Sequence, residues 1–472
     1  MPRDLHDAPP DVLIAGGGNA AMCAAIAAAE GGARVLVAEA APRAFRGGNT
    51  RHTRNMRVAH DEATGTLTGP YPVDEFMDDL LRVTDGRTDE PLARLTLERS
   101  AELWDFLEAR GVRFQPALGG TLSLGRTNAF FMGGGRTMLN ALHQAAEDRG
   151  VTVLYDTRVA ALEVEDGFFR AATLEAGWEG GAPKRTRIEP RAFVAASGGF
   201  EANLEWLEEA WGEAARNFRI RGTPYNRGDV LRMLLDAGVA SVGDPKQCHA
   251  VAVDGRAPQF DGGIVTRLDC VPFGVVLNAD AERFHDEGED FWPKRYAIWG
   301  RLVAAQPGQI GHVIIDAKSI DLFMPSVFPP ETADTIEALA AKVGLDPVRA
   351  AATIDAFNAA CVPGTFDHTA HDDCRTEALE PPKSHWARPI DTPPYYAYTL
   401  APGITFTYLG VKVNADARMV MADGTASPNL FAAGEVMAGN VLGQGYLAGL
   451  GMTIGSVFGR IAGERAAAHV RN

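Results

Sequence analysis

Between Glu39 and Asp61 the chain carries Arg43, Arg46, Arg51, Arg54 and Arg57, with His52 and His60 and no acid. The formal net charge is -16 at pH 7, so this stretch locally reverses the sign of the molecule. A guanidinium presents a planar fork of donors that matches a carboxylate or phosphate in pairs. One reading is a solvated loop or a rim for phosphates, because charge runs usually face water. The other is a clamp for the carboxylates of a small anion, built from Arg51, Arg54 and Arg57 with His52. Gly47 and Gly48 then let the backbone come close to a bound ring.

The element that would position this loop is residues 11–39, DVLIAGGGNAAMCAAIAAAEGGARVLVAE. It reads as strand, glycine turn, helix and second strand. Gly16 permits the tight turn, Gly18 lets the backbone approach a pyrophosphate, and Ala21 lets the helix pack on the sheet. Ala20 opens the helix-favouring run just after Asn19, and the helix N-terminus faces the phosphates. Glu39 ends the second strand, where a carboxylate can accept from ribose hydroxyls. A GxGxxA alone is a weak signal; in register with both strands and the terminal acid it indicates dinucleotide binding.

The 472 residues exceed one typical core, so two domains are expected. An acidic balance argues against nucleic acid or an anionic membrane surface as partner. Cys23, Cys248, Cys270, Cys361 and Cys374 are scattered and form no CxxC, which fits a reducing compartment and gives no metal-ligand spacing. No metal is expected. Residues 1–11 lack a secretory pattern and the apolar runs are too short to span a bilayer. A cytoplasmic protein is expected, at a membrane only through a partner.

Farther along, residues 74–110 show helical apolar spacing. TNAFFMGGGRT at 127–137 reads equally as a second anion site using Arg136 or as a tight connection. AFVAASGGF at 192–200 is a buried strand and small-residue turn, bringing Ser197 and Gly198 to the same cofactor. From residue 246 short strands and prolines replace the βαβ rhythm, which marks 246–395 as an inserted domain between 1–245 and 396–472. A strand at 411–420, the run LFAAGEV at 430–436 and a glycine-rich turn lead into a final helix expected to complete the cofactor site.

The GxGxxA with Glu39, GGNT at 47–50, ASGGF at 196–200, FGVVLNADAERF at 273–284, QPGQ at 306–309 and LFAAGEV together resemble the fumarate reductase and succinate dehydrogenase flavoprotein family. GGNTRHTRN, FTYLG at 406–410 and GQGYLAGLG at 443–451 look most like its tricarballylate dehydrogenase group. The resemblance implies an α/β architecture, a discontinuous Rossmann-like FAD-binding domain with an inserted α+β substrate cap. It places Gly16, Gly18, Glu39, Asn49 and Glu435 at FAD, with Gly48, Thr50 and Gly434 beside them. The histidine that carries FAD covalently in succinate dehydrogenases falls on Asn49, so dissociable FAD is expected.

Two family features are missing. The histidine pair before the cap returns is replaced by Thr405-Phe406-Thr407-Tyr408, and the last-loop arginine by Tyr446. Positive charge is expected instead from Arg51, Arg54, Arg57 and the cap residue Arg267, which suits a polycarboxylate. The resemblance implies oxidation of a CH–CH unit to an alkene, tricarballylate to cis-aconitate, with hydride passing to flavin N5. Arg295 is the nearest match to the family's proton-handling arginine, with Tyr296 and Tyr446 as rivals. His249 sits like a family substrate-binding histidine or is a satisfied core residue. Arg301 and Asp269 are expected to be structural. Electrons are expected to leave through a membrane-associated iron-sulfur protein. Fumarate reductase-like and 3-ketosteroid dehydrogenase-like enzymes are the alternatives, followed by a non-catalytic flavin electron-transfer module.

Overall fold

A computed structural model describes residues 9–116, 124–180, 182–289 and 296–471, Tyr296 in its backbone alone. Strand Val12–Ala15 lies at the middle of a six-stranded sheet, parallel to Val35–Ala38 on one side and Ala192–Ala195 on the other. Thr152–Leu154 and Ala426–Ala432 extend the parallel order, and Arg418–Val420 closes one edge antiparallel. The apolar runs VLIA, VLVA and AFVA are buried along their whole length, because helices cover both faces of such a sheet. Strands from the two ends of the chain share one sheet, so this body is discontinuous in sequence.

Helix Asn19–Glu30 packs against the final helix Leu450–Arg471. Small side chains on both make the approach close: a Cβ added at Gly459 would stand 2.5 Å from the carbonyl oxygen of Ala20. The turns after Val12–Ala15 and Ala192–Ala195 also touch. Gly16 has φ +107° and a side chain there would run into the Ala196 carbonyl, so only glycine serves.

A second sheet is built on the thirteen-residue strand Tyr395–Thr407. It pairs antiparallel with Cys248–Asp254, Gly311–Asp316 and Glu331–Ala333, and parallel with Arg219–Ile220. Val275–Leu277 continues the sheet beyond Gly311–Asp316. Helix Pro347–Ala360 covers it through a separate core that includes Leu277, Ile314, Ile354 and Phe357. The long strand therefore runs from this α+β layer into the first body, and its last residues reach the cleft between them.

A three-stranded sheet of Asn55–Arg57, Asn128–Phe131 and Phe114–Gln115 anchors the arginine-rich loop. The mixed α/β fold expected from the chain is the one observed, with local differences. Residues 411–420 are not one strand: the Asn414 side chain takes the N–H of Asp416 and Arg418 and bends the chain between two short strands. The glycine run at 133–135 forms a tight connection into the next helix. Gly135 N–H donates to the Thr53 carbonyl at 2.8 Å, starting helix Gly134–Glu147 against the arginine-rich loop.

Candidate active site

One cleft, holding about 1560 Å³ of atom-free space, runs from the glycine turn to the second sheet. Gly16, Gly18, Asn19, Ala20, Glu39, Gly48, Asn49, Thr50, Ser197, Gly198, Gly434 and Glu435 all line it. They arrive from five separate segments, and hydrogen bonds fix each. Asn19 N–H donates to Thr50 Oγ1 at 3.1 Å, joining the helix to the arginine-rich loop. The Asn19 amide donates to Ser456 Oγ at 2.9 Å, joining the same helix to the last one. Glu39 Oε1 accepts from Ala41 N–H at 2.8 Å and Oε2 from Gly47 N–H at 3.3 Å. Burial nonetheless pushes its carboxyl above the usual range. Behind the turn, His143 Nε2 lies 3.0 Å from the Gly17 carbonyl, and burial lowers this imidazole to about 4.

At the far end the cleft is lined by His52, Arg54, Arg221, His249, Thr405, Phe406 and Tyr446. His249 is carried on Cys248–Asp254 opposite Phe406, at a bulge that follows it in the ladder. Its ring stands edge-on to Tyr446, centroids 3.8 Å apart. Burial, then the Arg221 charge, hold His249 well below its ordinary value, so it is neutral. Tyr446 Oη accepts from Gly451 N–H at 3.2 Å. His52 Nε2 lies 2.5 Å from Asp261 Oδ1; burial lowers its pKa and the Asp261 carboxylate partly opposes this.

The structure brings Arg54, His52, His249 and Tyr446 together but not the rest of the expected clamp. Arg51 points inward: Nη1 donates to the Ala44 carbonyl at 2.9 Å, the guanidinium lies over Phe45, and Nε is 3.6 Å from Asp261. Arg57 is buried and spent on structure, donating to the Ala448 carbonyl at 3.1 Å and Tyr71 Oη at 2.8 Å, with Asp79 at 3.7 Å. Arg267 is buried in a pair with Asp269 at 2.6 Å, and neither lines the cleft. Arg295 lies outside the described residues, as does the side chain of Tyr296.

Arg221, from outside the arginine-rich stretch, also lines this end of the cleft. It directly follows Arg219–Ile220, is 5% exposed, and donates through Nη1 to Thr405 Oγ1 at 2.8 Å. In the sequence it stands among Arg216, Arg219 and Arg227, just before a Gly-Thr-Pro turn, with nothing local to single it out. Asn226 was missed for the same reason: it sits within a turn yet lines the cleft.

The lining fits a flavin dinucleotide. One end has the glycine turn, a helix N-terminus and a buried carboxylate, which suit phosphates and a ribose. The other end has room beside an apolar and cationic wall, and small residues such as Gly48, Gly198 and Gly434 keep side chains out of the channel between.

Comparison with known proteins agrees. A family model described as an FAD binding domain matches residues 11–452. Over 476 residues the chain is 27% identical to a probable fumarate reductase, Ifc3, of Shewanella frigidimarina, covering 97% of this chain and 75% of that protein. A solved flavocytochrome c3 fumarate reductase in an open conformation superposes with a TM-score of 0.74 at 24% identity, covering 99% of this chain and 80% of the other. A 3-ketosteroid-Δ4-(5α)-dehydrogenase from Rhodococcus jostii RHA1, in complex with 4-androstene-3,17-dione, gives 0.72 at 21%, with 97% and 96% covered. The match over nearly the whole chain, on a fold whose cleft suits the cofactor, places this protein in the FAD-binding family of the fumarate reductase and succinate dehydrogenase flavoproteins, as an FAD-dependent oxidoreductase.

Proposed function

We propose that the protein oxidises a saturated polycarboxylate to its alkene, tricarballylate to cis-aconitate foremost. The observation that carries this reading is the convergence of Arg54 and Arg221 on the cleft end shared by His249 and Tyr446, in a chain of net charge -16. FAD supplies a two-electron acceptor when bound. Arg54 and Arg221 hold substrate carboxylates and stabilise negative charge on the carbon that loses its proton. Neutral His249 offers a hydrogen bond without adding charge. Tyr446 is the proton acceptor favoured by geometry, since Gly451 N–H donates to its oxygen and His249 braces its ring. Arg295 and Tyr296 are its rivals, and single variants Y446F, Y296F and R295Q separate the three by loss of turnover.

The same reading divides the chain into an FAD body of residues 1–245 and 396–472 and a cap of 246–395. Gly16, Gly18, Glu39, Asn49 and Glu435 hold FAD without a covalent bond, so acid precipitation should leave yellow flavin in the supernatant. Electrons leave to a membrane-associated iron-sulfur protein from the cytoplasmic side. Among the described residues no helix is long and apolar enough to cross a membrane and no cluster of ligands suits a metal, which is compatible with such a carrier being a separate chain.

A second reading, a 3-ketosteroid dehydrogenase-like activity, draws on the apolar wall of Phe406, Ala448 and Met452 around Tyr446. Anaerobic titration of the purified protein with tricarballylate, citrate, succinate and a 3-ketosteroid separates the two by which compound bleaches the flavin. Reoxidation of reduced protein by fumarate would favour a fumarate reductase-like direction, and failure of every compound a non-catalytic electron carrier.

A further inference from the structure

Two carboxyls meet on the wall of the cleft. Glu435 lines it, and Glu201, fully buried, stands behind. The Asn49 amide reaches both, 2.6 Å from Glu201 Oε1 and 3.3 Å from Glu435 Oε2, and also donates to the Thr405 carbonyl. Asn226 adds a bond to Glu201 Oε1 at 2.7 Å, and Thr407 N–H donates to Glu435 Oε1 at 2.8 Å. All of these donors are neutral. Glu201 Oε2 remains buried without an amide or hydroxyl donor, and it shares the space over Gly199 with the other carboxyl: a Cβ added there would stand 2.9 Å from Glu201 Oε2 and closer still to Glu435 Oε1.

Two carboxylates in contact and shielded from water cannot both stay ionised. A proton held between them removes the repulsion and satisfies Glu201 Oε2 in one step. We propose that Glu201 and Glu435 share one proton at neutral pH, and that Glu201 is a positioning residue that keeps Glu435 and Asn49 in place for FAD. Burial pushes both groups up, and Glu435 is pushed further by the carboxyl beside it. Loss of the proton sets two charges side by side, parting Glu435 from Thr407 and Asn49 from Thr405, so the cofactor wall opens. The other ionisable groups on the surrounding elements are His52 and Arg54 in the loop carrying Asn49, Arg221 and Arg227 in the segment carrying Asn226, and Tyr408 beside Thr407. Burial keeps the Tyr408 phenol neutral. The proposal rests on FAD as cofactor and is independent of the substrate.

The test is the FAD dissociation constant, read by flavin fluorescence from about pH 6 to about pH 9, for wild type and E201Q. The amide of E201Q keeps the shape and supplies a donor permanently. Wild-type binding should weaken by about tenfold per pH unit once the pair loses its proton. E201Q should bind within about threefold of wild type at the acid end and stay flat. Parallel profiles would overturn the proposal. Should E201Q not fold, the infrared spectrum of the wild-type holoprotein decides: a carboxylic acid C=O band that shifts in D2O and persists at neutral pH supports the shared proton, and its absence overturns it. A wild-type protein that binds no FAD would count against the cofactor instead, and the same band read on the protein as purified would then decide on the proton.

Discussion

Arg54 and Arg221 should behave alike under substitution, and Arg57 should not. Removing either cleft arginine takes away a charge-assisted contact of about 1.5–3 kcal/mol, so Arg54→Ala and Arg221→Ala should each raise KM about tenfold to a hundredfold while FAD stays bound. Steady-state kinetics with flavin occupancy checks this; an unchanged KM would remove that arginine from the site. Arg57→Ala instead removes two buried hydrogen bonds, to the Ala448 carbonyl and Tyr71 Oη, while Asp79 keeps Arg82 and Ala448 keeps Asn128, and should cost about 1–3 kcal/mol of stability, read by denaturant unfolding. The charge reversal at 41–60 was legible in the sequence because composition alone reveals it. Which arginines face the ligand was not, because the groups that capture Arg57 come from residues 71, 79 and 448, and none is near it in the chain. Arg221 escaped notice for the opposite reason: it stands outside the run.

At the level of elements, the strand–turn–helix–strand unit depends on contacts its own sequence does not contain. The final helix lies so close that Gly459→Val would press a side chain into the Ala20 carbonyl and Cys23. Such overpacking should cost about 1–3 kcal/mol and reduce FAD occupancy, because the displaced helix carries Asn19 and Ala20. His143 supports the turn from the other side. Its native pKa of about 4 lies below the ordinary 6.5, so the unfolded chain binds the proton first as pH falls. Its contribution is therefore intact above about pH 6.5 and is lost progressively toward pH 4, by up to about 3 kcal/mol. Thermal unfolding across that window should show a shallower acid decline in H143Q than in wild type. The βαβ unit and the glycine-rich final helix were legible because turn chemistry and periodicity are local. The bend at Asn414 and the tie between Gly135 and Thr53 at the start of helix Gly134–Glu147 were not, since a side-chain hydrogen bond and a distant carbonyl decide them.

For the whole molecule, a chain of acidic balance encloses a cleft whose far end gathers cationic and imidazole groups from the arginine-rich loop and the second sheet. That contrast is what the proposed polycarboxylate substrate depends on, because a net charge of -16 alone would repel a polyanion. The cleft was legible as a set of motifs, all of the expected cofactor residues lining it, whereas its joining to the second sheet through strand Tyr395–Thr407 and the His52–Asp261 contact depends on long-range pairing. The most direct measurement is anaerobic addition of tricarballylate to the purified yellow protein, followed by its absorbance. The flavin should bleach at a low excess of the tricarboxylate, and Arg54→Ala and Arg221→Ala should need far more of it. Bleaching by a 3-ketosteroid with no response to any polycarboxylate would contradict polycarboxylate oxidation.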